Sequence, residues 1–360
     1  MTAVGCGGDA SPPPTSASAA SADSAPAAPP SSSPAVSEQA SAADDAETPL
    51  PGESIESSLP PAVRDQLLKP FTGDVDGMAA RRLVRVGVTY NRTFYFIDRG
   101  VQRGVAYDYG QLLEQRINTH YKTGIDDKIH VVFVPMPRNQ LFQALVDGRV
   151  DLVSAQITIR PDLREQVAFS NPTRSRVNQV VVTGPGVPSL ASVGDLSGRD
   201  VYVRPRSAYH ESLVALNAKL AAERKSPVSI REVPEDLEDD DLLEMVNAGL
   251  LPAIVVDDYI ASFWKQVLPN LTVHDDVVVH AGGELGVALR KGNPKALAAL
   301  NSFMGKYGLG TAFGNQIERK YLVSTKFVKG ATSEAERRKF QDLVTFFQKY
   351  GGQYSLDYLL

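Results

Sequence analysis

The chain of 360 residues is 43% hydrophobic and 22% charged with a net charge of −5, which allows two domains of ~150 residues and argues against nucleic acid as a partner. No apolar run reaches the ~18 residues that a membrane helix requires. One cysteine, Cys6, and five scattered histidines without an HExxH spacing exclude disulfide frameworks and leave no metal or cofactor to expect.

The charge is uneven. Before Arg64 there are eight acidic residues and no Lys or Arg, so the remainder is near neutral to slightly basic. Residues 7 to about 62 are mostly Ala, Ser, Pro, Gly and acids, too poor in apolar surface to offset the entropy of ordering. A flexible tether is expected there. Ahead of it, Ala3-Val4-Gly5-Cys6-Gly7-Gly8 resembles the end of a bacterial lipoprotein signal, which makes Cys6 the expected lipidation site and the membrane a partner through a lipid anchor.

From Leu83 the pattern becomes regular. Leu83–Val88 reads as a strand rich in β-branched residues, Tyr107–Ile117 as a helix with apolar residues at 3.6 spacing, and His130–Val134 as a strand. Asn139–Leu145 is a helix stopped by Asp147-Gly148, after which strands begin at Val150 and Asn178. This alternation predicts an α/β domain with a largely parallel sheet. Beyond the break at Gly184–Pro188, strands are expected at Asp200–Arg204, Ser229–Val233, Ala253–Val256 and Glu284–Leu289. Helices are expected at Tyr209–Ala222, Leu242–Ala248, Tyr259–Lys265 and Lys295–Tyr307. The acidic run Glu235–Asp241 reads as a solvated loop or helix start, not a metal site.

Several segments together resemble periplasmic solute-binding proteins of the amino-acid-binding type: Asp195–Val203 with Ser207-Ala208-Tyr209, Gly104–Asp108, Leu145–Leu152, Thr158–Ser170, and Val246–Gly249 through Asp257. The C-terminal stretch, Asn315–Tyr321, Lys339-Phe340 and Phe346–Gly351 to Leu360, resembles the membrane-bound lytic murein transglycosylase F family, in which such a module precedes a lysozyme-like catalytic domain. The resemblance implies a two-lobed, type II periplasmic-binding-protein-like fold behind a disordered N-terminal tether. Its expected parts are the tether at 1–62, the binding domain at 83–322, and a helical linker at 323–360 leading to an absent catalytic domain. Lobe I would take 83–182 plus 286–320 and lobe II 183–285, with crossings near Val182 and Gly286 as the hinge.

No GxSxG, P-loop or GxGxxG pattern appears, and Glu334 and Glu336 sit in a charged stretch that reads as an exposed helix face. Ser207 has His210 three residues on, but nothing places an oxyanion hole or an orienting acid. No catalytic residue is expected. A zwitterionic ligand instead needs an aromatic wall, donors for its carboxylate and an anion for its amine. The resemblance offers Tyr90, Phe94 and Phe96 as the wall, Thr158 and the Ser207 and Ala208 amides as donors, and Asp257 for the amine. The aromatics could equally pack the core, and Asp257 could equally cap a helix. The family's carboxylate-binding Arg falls near Leu163, flanked by Arg160 and Arg164. Either could serve after a local shift; otherwise the ligand would be a wall-derived peptide or muropeptide. Three functions follow as expectations: a cell-envelope sensing module attached to a transglycosylase, a receptor for an ABC-type importer, or a truncated transglycosylase.

Overall fold

β1 (Leu83–Val88) is buried at all six residues. It lies between two parallel neighbours, β4 (His130–Pro135) and β5 (Leu152–Thr158), and a strand covered on both faces reads as a nearly continuous apolar run. This is the centre of lobe I in a computed structural model that describes residues 59–98 and 100–329. The expectations for Cys6, the tether before residue 59, Glu334 and Glu336, and the helix at about 332–350 lie outside the described residues.

Two short helices precede β1. In α1 (Pro61–Leu67), Val63 packs with Leu59 against Leu83 and Val132. In α2 (Val75–Ala80), Asp74 caps the N-terminus and Met78 enters the lobe I core. The folded body therefore starts earlier than Leu83, and the last residues of the expected tether are already in packed structure, with Leu59 buried. A hairpin, β2 (Phe96–Asp98) and β3 (Val101–Arg103), leads into α3 (Val105–Tyr121). α4 (Leu141–Val146) and α5 (Pro161–Gln166) flank β5, and the two-residue β6 (Ala168–Phe169) follows.

Lobe II is built on β7 (Arg174–Thr183), β8 (Asp200–Val203), β9 (Ser229–Glu232) and β10 (Ala253–Asp257). Its helices are α6 (Ala208–Ala222), α7 (Asp239–Asn247) and α8 (Asp258–Lys265). The long β11 (Thr272–Leu289) then returns to lobe I, followed by α9 (Pro294–Tyr307), α10 (Ala312–Glu318), a π-helical turn and α11 (Lys326–Lys329). The strand order is β4-β1-β5-β11-β7-β10-β8-β9, with β6 paired to β11.

The sheet is mixed rather than largely parallel. β4-β1-β5 and β10-β8-β9 are parallel sets, each fed by helical crossovers, whereas β11 runs antiparallel to β5, β6 and β7, and β7 antiparallel to β10. Two chain crossings joined by direct strand pairing make that centre antiparallel. Residues 179–183 already pair with β10, so the first crossing lies a few residues before the expected Val182. The last third of β11 is the strand expected at Glu284–Leu289; its earlier part was not legible, because it alternates irregularly and is broken by register shifts.

The C-terminal segment also departs from expectation. Tyr321, Leu322 and Val328 are buried in one cluster with Phe96, Trp264 and Ile317. The first residues of the expected linker are thus packed on the domain.

One charged group interrupts the buried β1. Arg85 is fully buried, its backbone N–H donating to Asp151 Oδ2 at 2.8 Å and its guanidinium to the carbonyls of Leu67, Lys69 and Gly148. Asp151, also fully buried, is further held by Arg81 and by Arg290 at 3.3 Å. Gly148 supports this node: its φ is +70°, and a Cβ there would stand 2.5 Å from the Phe71 carbonyl oxygen. The Leu145–Leu152 motif is therefore a structural anchor joining α1, β1, β5 and β11.

Candidate ligand-binding cleft

The C-terminal ends of β5 and β8 open onto a cavity of about 460 Å³ between the lobes, within the range of small-ligand sites. From lobe I it is lined by Arg138, Gln156, Thr158, Arg160 and Leu163, and from lobe II by Arg204, Ser207, Ala208, Tyr209 and Asp239.

The expected site residues divide. Thr158, Arg160, Ser207 and Ala208 meet at this cavity. Arg164 is exposed on α5 and does not line it. Tyr90 is 55% exposed and also stands outside it. Phe96 packs edge-on against Tyr321, 6.3 Å between centroids, and near Phe327. Phe94 lines a separate, mainly apolar cavity with Tyr109 and Tyr259. Packing against the C-terminal segment and α3 captures these two rings, so no aromatic wall of Tyr90, Phe94 and Phe96 forms. Ser207 is the N-cap of α6: its hydroxyl accepts from His210 N–H at 3.1 Å and donates to the Arg204 carbonyl at 2.7 Å. That leaves it no nucleophilic arrangement with the His210 ring.

Asp257 ends β10 at 4% exposure. It occupies the N-cap position of α8 without a side-chain cap bond, and the next residue, Asp258, accepts the Tyr259 N–H instead. The capping role is therefore not what holds Asp257. Among the described residues no ion pair reaches it. Burial pushes its carboxyl up to about 8, Asp239 and Asp258 add to the effect, and the Tyr209 hydroxyl opposes it. Tyr209 donates to Asp239 Oδ2 at 3.0 Å. Tyr259 accepts from Gln156 Nε2 at 3.0 Å and lies 4.0 Å beneath the Arg174 guanidinium. Gln156 makes this contact from a φ of +52°, an uncommon, strained conformation for a residue with a side chain.

Sequence reasoning missed the guanidinium network. Arg138 is bidentate to Glu238, at 3.0 and 2.5 Å, and donates to the Ala155 carbonyl at 2.7 Å. Thr89 adds a bond to Glu238 at 3.0 Å. Arg204 binds Asp239 and the Leu237 carbonyl; burial works against its charge, and Asp239 and Glu238 outweigh it. Arg160 pairs with Asp162 at 2.9 Å and, across the cleft, with Glu211 at 3.0 Å. At the rim Arg92 meets Asp240 through its backbone N–H and Glu244 through its side chain. The acidic run does start helix α7, with a Glu238–Asp241 capping box, but only its first part is solvated: Asp236 is exposed, while Glu238 and Asp240 are buried against lobe I. The readable signal was position, since Arg138 and Arg204 each follow the C-terminal end of a strand.

The profile of the bacterial extracellular solute-binding proteins, family 3, matches residues 84–322. A membrane-bound lytic murein transglycosylase F from Shewanella baltica is 26% identical over 189 residues, 52% of this chain and 36% of that protein; one from Shewanella pealeana is 25% identical over 186 residues. The matched part of this chain spans about a third of those relatives' length. Among solved structures, a mutant arginine-binding protein of T. maritima superposes with a TM-score of 0.55 at 20% identity, covering 69% of this chain and 99% of that one. A putative ABC-transporter binding component from Wolinella succinogenes, complexed with lysine, gives 0.56 at 18% identity over the same shares. With this profile match over most of the folded body, the chain belongs to the bacterial extracellular solute-binding proteins, family 3.

Proposed function

We propose that the two-lobed body is a cell-envelope solute-binding module that closes on a small amino-acid- or peptidoglycan-derived ligand and receives its amine at Asp257. The observation that carries this is a buried carboxyl behind Tyr209 of the cleft lining that neither caps its helix nor forms an ion pair among the described residues. A buried carboxyl without such a partner is costly to keep. A ligand ammonium would supply the missing partner, and Thr158 and the Ala208 amide would bind the rest of the molecule. Arg160 is the remaining candidate for a ligand carboxylate on the resemblance, and Arg164 stands too far out on α5. The lytic transglycosylase relatives favour a module that regulates wall cleavage by a further domain, with Cys6 as a lipid anchor on the periplasmic side. The binding components among the structural neighbours favour, as the second reading, a receptor for an importer.

A thermal-shift screen with amino acids, peptides and muropeptides tests the ligand reading, since a ligand that binds only the native state raises the midpoint. The expected result is a rise with an amine-bearing compound that Asp257→Asn abolishes. No rise with any compound, or an equal rise in the variant, contradicts it.

A further inference from the structure

A second cavity, of about 120 Å³, lies inside lobe I. Its walls include Leu152 of β5, Tyr109 and Leu113 of α3, and Leu300, Phe303 and Met304 of α9. Folded interiors keep few voids larger than a water molecule, because atoms that face a gap lose their packing contacts. Walls this apolar offer water few hydrogen bonds, and an apolar cavity of ~150 Å³ is enough to accept a benzene ring.

Four polar side chains of the lining gather at one end. Arg174 pairs with Glu318 at 2.6 Å and lies 4.0 Å over the Tyr259 ring, whose hydroxyl accepts from Gln156 Nε2 at 3.0 Å. Arg174, Tyr259 and Glu318 also line a surface groove with the exposed Arg176 and Asp275. They therefore form a lid between the apolar space and solvent. Tyr259 reaches it from α8 of lobe II, and Gln156 holds its place from a φ of +52°, the kind of backbone strain that collects at ligand clamps. The lid is balanced in charge, and no other charged side chain lines the cavity. An ion taken into the apolar part would lose its water without gaining a counter-charge there.

We propose that this cavity is a second ligand site, apart from the cleft, for a neutral apolar molecule of about one ring. The ring packs between Leu113 of α3 and Leu300 and Met304 of α9, behind the Arg174–Glu318 lid. The proposal does not depend on the amine-binding reading, since Asp257 takes no part in it.

The chain has five methionines, of which Met304 lines the cavity and Met136 and Met245 do not. Toluene and sodium benzoate are titrated into the full chain labelled at the methionine methyls and followed by NMR, with Met304→Leu assigning the signal. The expected result is a saturable shift of Met304 with toluene while Met136 and Met245 stay in place, and binding of benzoate at least tenfold weaker. Leu113→Phe, which places a larger side chain in the same space, should weaken toluene at least tenfold at an unchanged urea midpoint; Leu300→Phe replaces it if that midpoint falls. No saturable shift at Met304, or equal shifts at all three methyls, overturns the site. Benzoate as tight as toluene overturns the neutral class of ligand, and undiminished toluene binding in a filled, stably folded variant places the probe elsewhere and overturns the proposal. The parent's response to the two probes decides the matter even if neither filled variant folds.

Discussion

Asp151 and Asp257 are the same residue type, one just before β5 in lobe I and one at the end of β10 in lobe II, and both are buried. Asp151 meets three guanidiniums and a backbone N–H. Asp257 forms no ion pair among the described residues, and burial holds its carboxyl up at about 8 against the more distant charge of Arg174. The first is a finished structural node that ties four elements of lobe I together. The second has the surroundings of a site whose last partner comes from outside the chain. Burial alone does not separate structure from function; the state of the partners does.

The largest effect expected from breaking this contrast falls on Asp151. Asp151→Asn leaves Arg81, Arg85 and Arg290 buried against one another without a counter-charge. The loss should be about 3–5 kcal/mol, read as a lower urea midpoint at unchanged slope. Asp257→Asn should leave the urea midpoint at pH 6 no lower than that of the parent, and higher where the unfolded parent gains from ionising Asp257, so equal losses in the two variants would erase the distinction.

The pH dependence should be next in size. Asp257 and Asp240 both have carboxyls raised to about 8, by burial first, with Asp239 adding for Asp257 and Asp241 for Asp240. Unfolded, such carboxyls ionise near 4. Between about pH 4 and 8 the folded state therefore holds more protons, and stability falls as pH rises. Denaturation across that window should show the fall, and Asp257→Asn should make it shallower. A flat profile in the parent would contradict the burial argument.

The smallest effect concerns the rim. Arg92 and Glu244 keep 32% and 20% of their side chains exposed, so solvent screens the pair. A double-mutant cycle should give a coupling below about 1 kcal/mol. Arg138 and Glu238, at 19% and 6%, are better desolvated and should couple more strongly in the same experiment.

Much of the fold was legible in the sequence because its signals are local. The apolar run of β1, the helix spacing of α6 and α9, and the stop at Asp147-Gly148 each depend on nearby residues. The antiparallel centre was not legible, because the pairing of β7 with β11 joins residues about 100 positions apart. The cavity lining was readable by halves. Thr158, Ser207, Ala208 and Asp257 belong to segments whose family resemblance is strong, and the first three line the cavity. The aromatic wall failed because Phe96 finds Tyr321 and Phe327 from the far end of the chain. The acidic run misled because charge suggests solvent, while its partners Arg92 and Arg138 lie about 100 to 150 positions away in lobe I.

The most direct measurement of the central claim is the proton balance of ligand binding. If a ligand ammonium pairs with Asp257, binding at pH 6 must ionise a carboxyl that the free protein keeps protonated. Calorimetry of the best ligand at pH 6, in buffers of different ionisation enthalpy, should show release of about one proton per ligand. In Asp257→Asn that release should vanish and affinity should fall by about 1.5–3 kcal/mol, the strength of a charge-assisted hydrogen bond. Binding without proton release in the parent, or with undiminished affinity in the variant, would contradict the assignment of Asp257 as the amine's partner.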